Sequence, residues 1–194
     1  QQPSFDPKRV ELAVDKIIEN SCHALDIVNR TKEIIQRNEP QKEKVNVNVL
    51  IEKSVFLLSQ ELESVGVSIN HHAPEDNVEI LADKLQMEQA LLNILRNSIE
   101  ALSTMDTSNR SIEASATIFQ EQVIIRIEDN GPGLSELIID KIFQPFFSTR
   151  DKGLGVGLCI AKTLITSNDG DVMVNLDYKQ GACFIISFPY HRDI

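Results

Sequence analysis

The sequence predicts an α+β fold, in which a mixed α/β domain follows one long helix. Between Val10 and Ile35, apolar and small residues recur at alternating spacings of four and three, which is typical of a helix that packs along another helix. Beyond residue 45, segments with period-two alternation are interspersed with segments of helical periodicity. This change of pattern divides the chain into a helical segment, residues 1–40, and a mixed domain, residues 41–194.

The first helix carries an apolar stripe wider than a two-stranded coiled coil requires. Ile18, Leu25 and Ile34 lie beside the heptad positions and broaden the apolar face. A four-helix bundle, in which each helix meets more than one neighbour, accounts for that width. The helix ends in the polar stretch 37–44, because Pro40 lacks an amide proton and disfavours helical geometry in the residue before it.

The mixed domain begins with alternation at Val45, Val47 and Val49, which predicts a strand. Three helices are predicted after it, at residues 50–64, 83–102 and 156–166. Further strands are predicted at residues 67–70, 112–119, 123–128, 172–176 and 182–188. The glycine-rich region 131–157 is too long for a plain connection, and loops of that length are usually functional or disordered.

Composition excludes several classes of function. Nineteen Lys and Arg against 29 Asp and Glu give a net charge of −10 over 194 residues, so we expect no nucleic-acid binding, which needs a clustered basic face. No apolar run reaches the roughly 18–20 residues needed to span a bilayer, and the first residues lack the layout of a signal peptide. We therefore expect this chain to be cytoplasmic and without membrane contact, either by itself or as the cytoplasmic part of a membrane-anchored protein. Its three widely spaced cysteines are expected to be reduced thiols.

The predicted helix 83–102 carries three side-chain amides, Gln89, Asn93 and Asn97, at spacings of four. This spacing places all three on one helix face. A carboxamide oxygen is a neutral ligand for Mg²⁺, and its NH₂ group can donate to phosphate oxygens. The alternative is a polar face exposed to solvent.

Two glycine-containing segments follow predicted strands or precede a predicted helix. Asp129 ends a strand and is followed by Gly131 and Gly133, where an acidic side chain beside accessible backbone could accept a hydrogen bond from an exocyclic amine. The segment KGLGVGL, residues 152–158, leads into a helix, and exposed amide protons at a helix N-terminus favour phosphate. Taken alone, the first segment is also a good turn and the second a flexible hinge.

Three phenylalanines, Phe143, Phe146 and Phe147, lie between the two glycine segments. Any one of them could be a simple core residue. Their position indicates that they anchor a lid over about residues 140–155, which we expect to be mobile when the site is empty.

The order and spacing of these four segments resemble the Bergerat-type ATP-binding fold, in the form found in sensor histidine kinases, over about residues 45–190. In that family Asn93 and Asn97 correspond to the N box, the two glycine segments to the first and second glycine boxes, and the phenylalanines to the F box. The resemblance implies a two-layer sandwich in which a mixed sheet packs on helices. It also implies that residues 1–40 are part of the dimerization and histidine-phosphotransfer bundle, and that residues 41–194 are the catalytic ATP-binding domain.

The resemblance assigns roles to individual residues and implies ATP and Mg²⁺ as ligands. Asp129 would accept a hydrogen bond from the adenine amino group, Asn93 would hold Mg²⁺ against the phosphates, and Asn97 would contact the phosphates from the next turn. The rest of the implied ATP site consists of two residues of the first glycine box, two of the F box and the second glycine box: Gly131, Gly133, Phe143, Phe147, Lys152, Gly153, Leu154, Gly155, Val156, Gly157 and Leu158. Hydrolysing relatives carry a Glu one turn before the N-box Asn, whereas Gln89 cannot take a proton from water, so the sequence favours transfer to a histidine.

The family's phosphoacceptor motif, a His followed by an acidic residue and then a proline, is not recognisable in this chain. His23 lies in CHALD on the predicted bundle helix, and a solvent or packing role suits it better. We expect the acceptor helix to lie outside this chain, with a homodimer formed through the bundle and a response regulator receiver domain as partner. The alternative is a nucleotide-responsive dimerization or scaffolding module without phosphotransfer. A serine kinase of the same fold would leave the N-terminal heptad helix unexplained, and chain length, acidity and Gln89 disfavour a topoisomerase or mismatch-repair relative.

Overall fold

The structure is a computed structural model that describes residue 14 and residues 39–73, 78–150 and 153–190. The fold belongs to the unit Asn38–Ile194. Val14 is helical, but the rest of the predicted heptad helix lies outside the described residues, as does His23. The assignment of residues 1–40 to a bundle therefore stays a prediction. Among the described residues, no helix is both long and apolar enough to cross a membrane.

The described elements alternate between helices and strands in the order that the sequence predicts, with one additional strand. Four α-helices are present in this part of the chain: α1 (Val47–Leu57), α2 (Ser59–Val65), α3 (Lys84–Ser103) and α4 (Gly157–Ser167). The seven strands are β1 (Glu43–Asn46), β2 (Val67–His72), β3 (Glu79–Ala82), β4 (Arg110–Phe119), β5 (Gln122–Asp129), β6 (Asp171–Val174) and β7 (Cys183–Pro189). A short 3₁₀ helix, Glu136–Ile138, lies in the glycine-rich region.

Five strands form one mixed sheet in the order β2-β4-β5-β7-β6. Only β2 and β4 are parallel, and the other neighbours are antiparallel. Strand β5 is central, and its alternating buried residues Val123, Ile125 and Ile127 join the buried face of α3 in one hydrophobic core. The predicted α+β fold, with a mixed sheet packed on helices, is confirmed.

The predicted alternation at Val45, Val47 and Val49 is only partly a strand. Strand β1 ends at Asn46, whose side-chain oxygen accepts a hydrogen bond from the Val49 amide at 3.0 Å and caps α1. The predicted helix 50–64 is two helices, which meet at the buried Leu58. Strand β2 is longer than the predicted strand 67–70, because the parallel pairing with β4 continues through residue 72 and includes His71 and His72, which the sequence predicts to lie in a turn.

Strand β3 is the element that the sequence analysis misses. Its four residues pair antiparallel with β1 in a separate two-stranded sheet. Four residues are too few to display a period. The strand therefore depends on its partner, 33 or more residues earlier in the chain, rather than on its own pattern.

Candidate functional site

Helix α3 positions the three amides. Asp83 caps its N-terminus, with its carboxylate accepting from the Gln86 amide at 3.1 Å. Asn93 is only 5% exposed, and its buried side-chain nitrogen has no hydrogen-bond partner among the described residues. Gln89 and Asn97, one turn on either side, are partly exposed. The alternative of a solvent face is therefore wrong for Asn93, whose buried NH₂ group is available for a ligand.

Strand β5 places Asp129 on the same face as its buried isoleucines, at the strand's last position. The carboxylate is 1% exposed and accepts three hydrogen bonds. The amides of Gly131 and Ala182 donate to Oδ1, each at 3.0 Å, and the hydroxyl of Ser98 on α3 donates to Oδ2 at 2.8 Å. Asp129 thereby joins the helix that carries the amides to the sheet.

The first glycine box is more than a turn, because its backbone approaches two other segments closely. A Cβ atom on Gly133 would lie 3.1 Å from the Gly181 carbonyl oxygen, and φ is +74° at Gly133. A Cβ atom on Gly181 would lie 1.9 Å from the carbonyl oxygen of Asp129. The Asn130 side chain accepts from the Ser111 amide at 2.8 Å and fixes the loop to the start of β4. These contacts hold the loop and the strand end in one arrangement.

Helix α4 runs antiparallel to α3, with its C-terminal end at the N-terminal end of α3. Asn168 donates to Gln86 Oε1 at 2.8 Å and accepts from the Asp83 amide at 2.7 Å. Gly157 precedes Asn168 by eleven residues, which corresponds to roughly 16 Å of helix. The same rise along α3 from Gln86 reaches Asn97. In the segment before α4, Arg150 donates to the Asn97 carbonyl oxygen at 3.0 Å. Together with the contacts at the other end of the helix, this hydrogen bond indicates that the N-terminus of α4 lies near the Asn93–Asn97 face.

The start of α4 offers unpaired amide protons to a ligand. Val156 is its N-cap residue, and no side chain in the described part of the chain caps the helix. The first N–H groups of an uncapped helix, together with the positive end of its dipole, favour an anion. Leu158 and Gly157 lie in the first turn, and Leu154 and Gly153 lie in the preceding loop; Lys152 lies outside the described residues.

The lid packs on the core through two of its three phenylalanines. Phe143 and Phe147 are partly buried against the core, whereas Phe146 is 73% exposed with φ +65°. The Lys162 ammonium of α4 lies 5.0 Å from the centre of the Phe143 ring, a cation–π contact. A Cβ atom on Gly155 would lie 2.2 Å from the Phe147 carbonyl oxygen, so the second glycine box packs directly on the F box.

Arg150 fastens the lid to α3. Its guanidinium donates to the Asn97 carbonyl oxygen at 3.0 Å and forms a short ion pair with Glu100. The lid is thus held at the same turn of α3 that carries the second N-box amide.

The strand end around Asp129 is buried and negatively charged. Burial, with a contribution from the Glu128 carboxylate, raises the pKa of the Cys183 thiol to about 11. Burial and the carboxylates of Glu128 and Asp129 raise the pKa of the Tyr178 phenol. Both groups are neutral at pH 7, so the thiol is not a nucleophile there and the local field favours a hydrogen-bond donor as ligand.

The sequence analysis did not single out several residues of this arrangement, among them Ser98, Arg150 and Ala182. Ser98 is a polar residue on the apolar side of α3, one position after Asn97, and that departure from the pattern could have indicated it. Ala182 follows Gly181 at the start of a predicted strand, and a glycine at that position could have indicated a close backbone approach there. Nothing local distinguishes Arg150 from other lid residues.

Residues 82–192 match the family described as histidine kinase-, DNA gyrase B-, and HSP90-like ATPase. The match covers more than half of the chain. The chain belongs to this ATPase family.

Individual relatives are sensor histidine kinases. The sensor histidine kinase TmoS of Ectopseudomonas mendocina is 31% identical over 179 residues, which are 91% of this chain and 18% of TmoS. The nucleotide-free catalytic domain of the histidine kinase ThkA is 25% identical, with a TM-score of 0.68 over 77% of this chain and 95% of that domain. The structure of ThkA in complex with the response regulator protein TrrA is 22% identical, with a TM-score of 0.77 over 97% of this chain and 53% of that one.

These relatives confirm the resemblance to sensor histidine kinases that the four motifs indicate. The chain contains a histidine-kinase-type ATPase domain. It spans only a minor part of the curated relatives it matches: 18% of TmoS, 37% of the sensor protein FixL and 26% of sporulation kinase A.

Proposed function

We propose that this chain binds Mg²⁺–ATP between α3, the first glycine box and the N-terminus of α4. The observation that carries the proposal is the buried side-chain nitrogen of Asn93, which has no hydrogen-bond partner among the described residues. It lies on the helix that packs against α4, whose start is not capped by any described side chain. In this arrangement the N-terminus of α4 and Asn97 bind phosphate oxygens, and Asp129 accepts a hydrogen bond from the adenine amine. Mg²⁺ supplies charge neutralisation at the phosphates, and the Asn93 amide oxygen is a suitable neutral ligand for it.

The reaction that we propose is transfer of the γ-phosphoryl group to a histidine outside this chain. The imidazole nitrogen forms a bond to the γ-phosphorus, the bond from that phosphorus to the bridging oxygen breaks, and ADP leaves with the electron pair. The chain's residues position the phosphates and neutralise charge. Gln89 supports transfer over hydrolysis, because its amide cannot act as a base toward water.

The wider assembly is part of the same proposal. Residues 1–40 would contribute to a dimeric bundle, and the phosphoryl group would pass from the histidine to an aspartate of a response regulator in the cytoplasm. The support comes from the relatives, which are sensor histidine kinases, and from ThkA, whose structure includes a response regulator.

The experiment combines nucleotide binding with transfer of label from γ-labelled ATP in the presence of Mg²⁺. The chain is tested alone, and with an added helical fragment that carries a phosphoacceptor histidine. We expect binding without self-labelling, and acid-labile label on the added fragment. The Asn93→Ala variant should lose both binding and transfer, whereas Asn109→Ala, which changes an amide residue outside α3, should keep both.

Three other outcomes would change the proposal. Label on the chain alone would make one of its own histidines, such as His23, the acceptor. Binding without any transfer would favour the scaffolding module. Rapid release of phosphate without an acceptor would contradict the role assigned to Gln89.

A further inference from the structure

Ser98 is a buried hydroxyl that contacts the proposed base-recognition group. Its side chain is fully buried, with 0% exposure, on α3 between the second N-box amide and the core residue Ile99. The hydroxyl is 2.8 Å from Asp129 Oδ2, a contact that joins residues 31 positions apart. A carboxylate has no proton to donate, so the serine must be the donor.

The hydrogen-bond count at Asp129 determines where a ligand can bind. Each carboxylate oxygen has two lone pairs. Oδ1 accepts from two backbone amides, those of Gly131 and Ala182, and is fully used. Among the residues that the structure describes, Ser98 is the one donor to Oδ2, so one acceptor position of this oxygen remains. A ligand amine must therefore approach Oδ2, whose direction Ser98 fixes.

We propose that Ser98 is a positioning residue that sets the selectivity of this site for a 6-aminopurine nucleotide over a 6-oxopurine nucleotide. The inference rests on the proposed function. The two backbone amides hold Oδ1, and the hydroxyl prevents the carboxylate from turning about that anchor. The remaining lone pair of Oδ2 then accepts a hydrogen bond from an exocyclic amine and repels a keto oxygen. Without the hydroxyl, the oxygen loses its fixed direction and the discrimination weakens.

The test compares the dissociation constants of ATP and ITP, measured by titration calorimetry with Mg²⁺. The native chain should prefer ATP. Ser98→Ala should lower the ratio of the two affinities by about tenfold, the effect expected for one hydrogen bond to a charged group. If Ser98 had a merely structural role, Ser98→Ala would weaken the binding of both nucleotides equally and leave the ratio of their affinities unchanged.

The matched control is Ser54→Ala. Ser54 is also 0% exposed in a helix, and its hydroxyl donates to the Leu50 carbonyl oxygen at 2.8 Å, without contact to Asp129. It should keep the native ratio. Ser98→Cys provides a second variant with a weaker donor of similar shape, and an intermediate ratio is expected.

Several results would overturn the inference. A native ratio in folded Ser98→Ala would show that the hydroxyl does not set selectivity. Equal binding of ATP and ITP by the native chain would do the same while leaving nucleotide binding in place. Unfolding of both Ser98 variants would assign the residue to stability alone. No binding of either nucleotide by the native chain would instead refute the proposed function itself.

Discussion

Replacing Asp129 by asparagine separates nucleotide recognition from folding. The asparagine oxygen can take the place of Oδ1 and accept from the amides of Gly131 and Ala182, which donate to it at 3.0 Å in the native chain. The new NH₂ group then faces Ser98, whose hydroxyl can reverse its role and accept. Every buried partner keeps a hydrogen bond, so we expect the variant to fold.

The cost to ATP binding follows from the same geometry. The one acceptor position that remains on the carboxylate becomes an N–H donor that faces the donating adenine amine. Hydrogen bonds to charged groups contribute about 1.5–3 kcal/mol, so the affinity for ATP should fall roughly ten- to a hundredfold. ITP presents a keto oxygen at this position, and its affinity should fall less or rise.

The assay is calorimetric titration of Asp129→Asn with ATP and ITP, together with thermal unfolding. Asp177→Asn makes the same change of charge on an exposed residue of the β6–β7 hairpin and should bind ATP as the native chain does. Unaltered ATP affinity in a folded Asp129→Asn protein would remove Asp129 from the base-binding site.

Three further sets of substitutions test the second glycine box, the lid and a partly buried imidazole. Gly155→Ala should lower the unfolding free energy and weaken nucleotide binding in titrations, because φ is +64° there and the new Cβ meets a lid carbonyl oxygen. Gly66→Ala is the control, with φ at +68° and no atom of the described residues within 4 Å of the new Cβ. It should cost about 1–2 kcal/mol of unfolding free energy and leave nucleotide affinity intact. Arg150→Ala should increase amide hydrogen exchange in the lid more than Glu100→Ala does, because Arg150 also donates to the Asn97 carbonyl oxygen. The double variant should match Arg150→Ala, and additive increases would show that the two residues do not act as a pair. Burial lowers the pKa of His71 below its ordinary 6.5, so the unfolded chain binds the proton first as pH falls. The free energy of unfolding should therefore be independent of His71 above about pH 6.5 and should decrease as the pH falls below that value. Urea unfolding at several pH values should show this loss reduced in His71→Gln, and an identical pH dependence in the two proteins would contradict it.

The site residues that the sequence predicts are those whose position follows from a local period. Asn93 and Asn97 lie on one helix face because the helical period is regular over twenty residues, with a capping aspartate before it. Asp129 faces the core side because period two in β5 continues from Ile127 to the strand end. In both cases the pattern extends over several turns or pairs, so it specifies orientation as well as secondary structure.

The contacts between segments could not be predicted in this way. The hydrogen bond from Ser98 to Asp129 joins α3 to β5, and the hydrogen bond from Arg150 to Asn97 spans 53 residues. A single serine in an apolar helix face is compatible with many packing environments, so its partner follows only from the tertiary structure. The position of α4 likewise depends on its antiparallel packing against α3.

Helix α3 is the common attachment of every part of the candidate site. It carries the amides, holds Asp129 through Ser98, holds the lid through Arg150 and contacts the end of α4 through Gln86. Ten of its twenty residues are buried, so a displacement of this helix would have to repack the core rather than a single contact. A shift of α3 would therefore change base recognition, phosphate contacts and lid placement together, whereas a shift of the lid would alter only one of them. For this reason the effects of Ser98→Ala and Arg150→Ala on nucleotide affinity should be close to additive while α3 keeps its place, and strong coupling between them would mean that the helix itself moves.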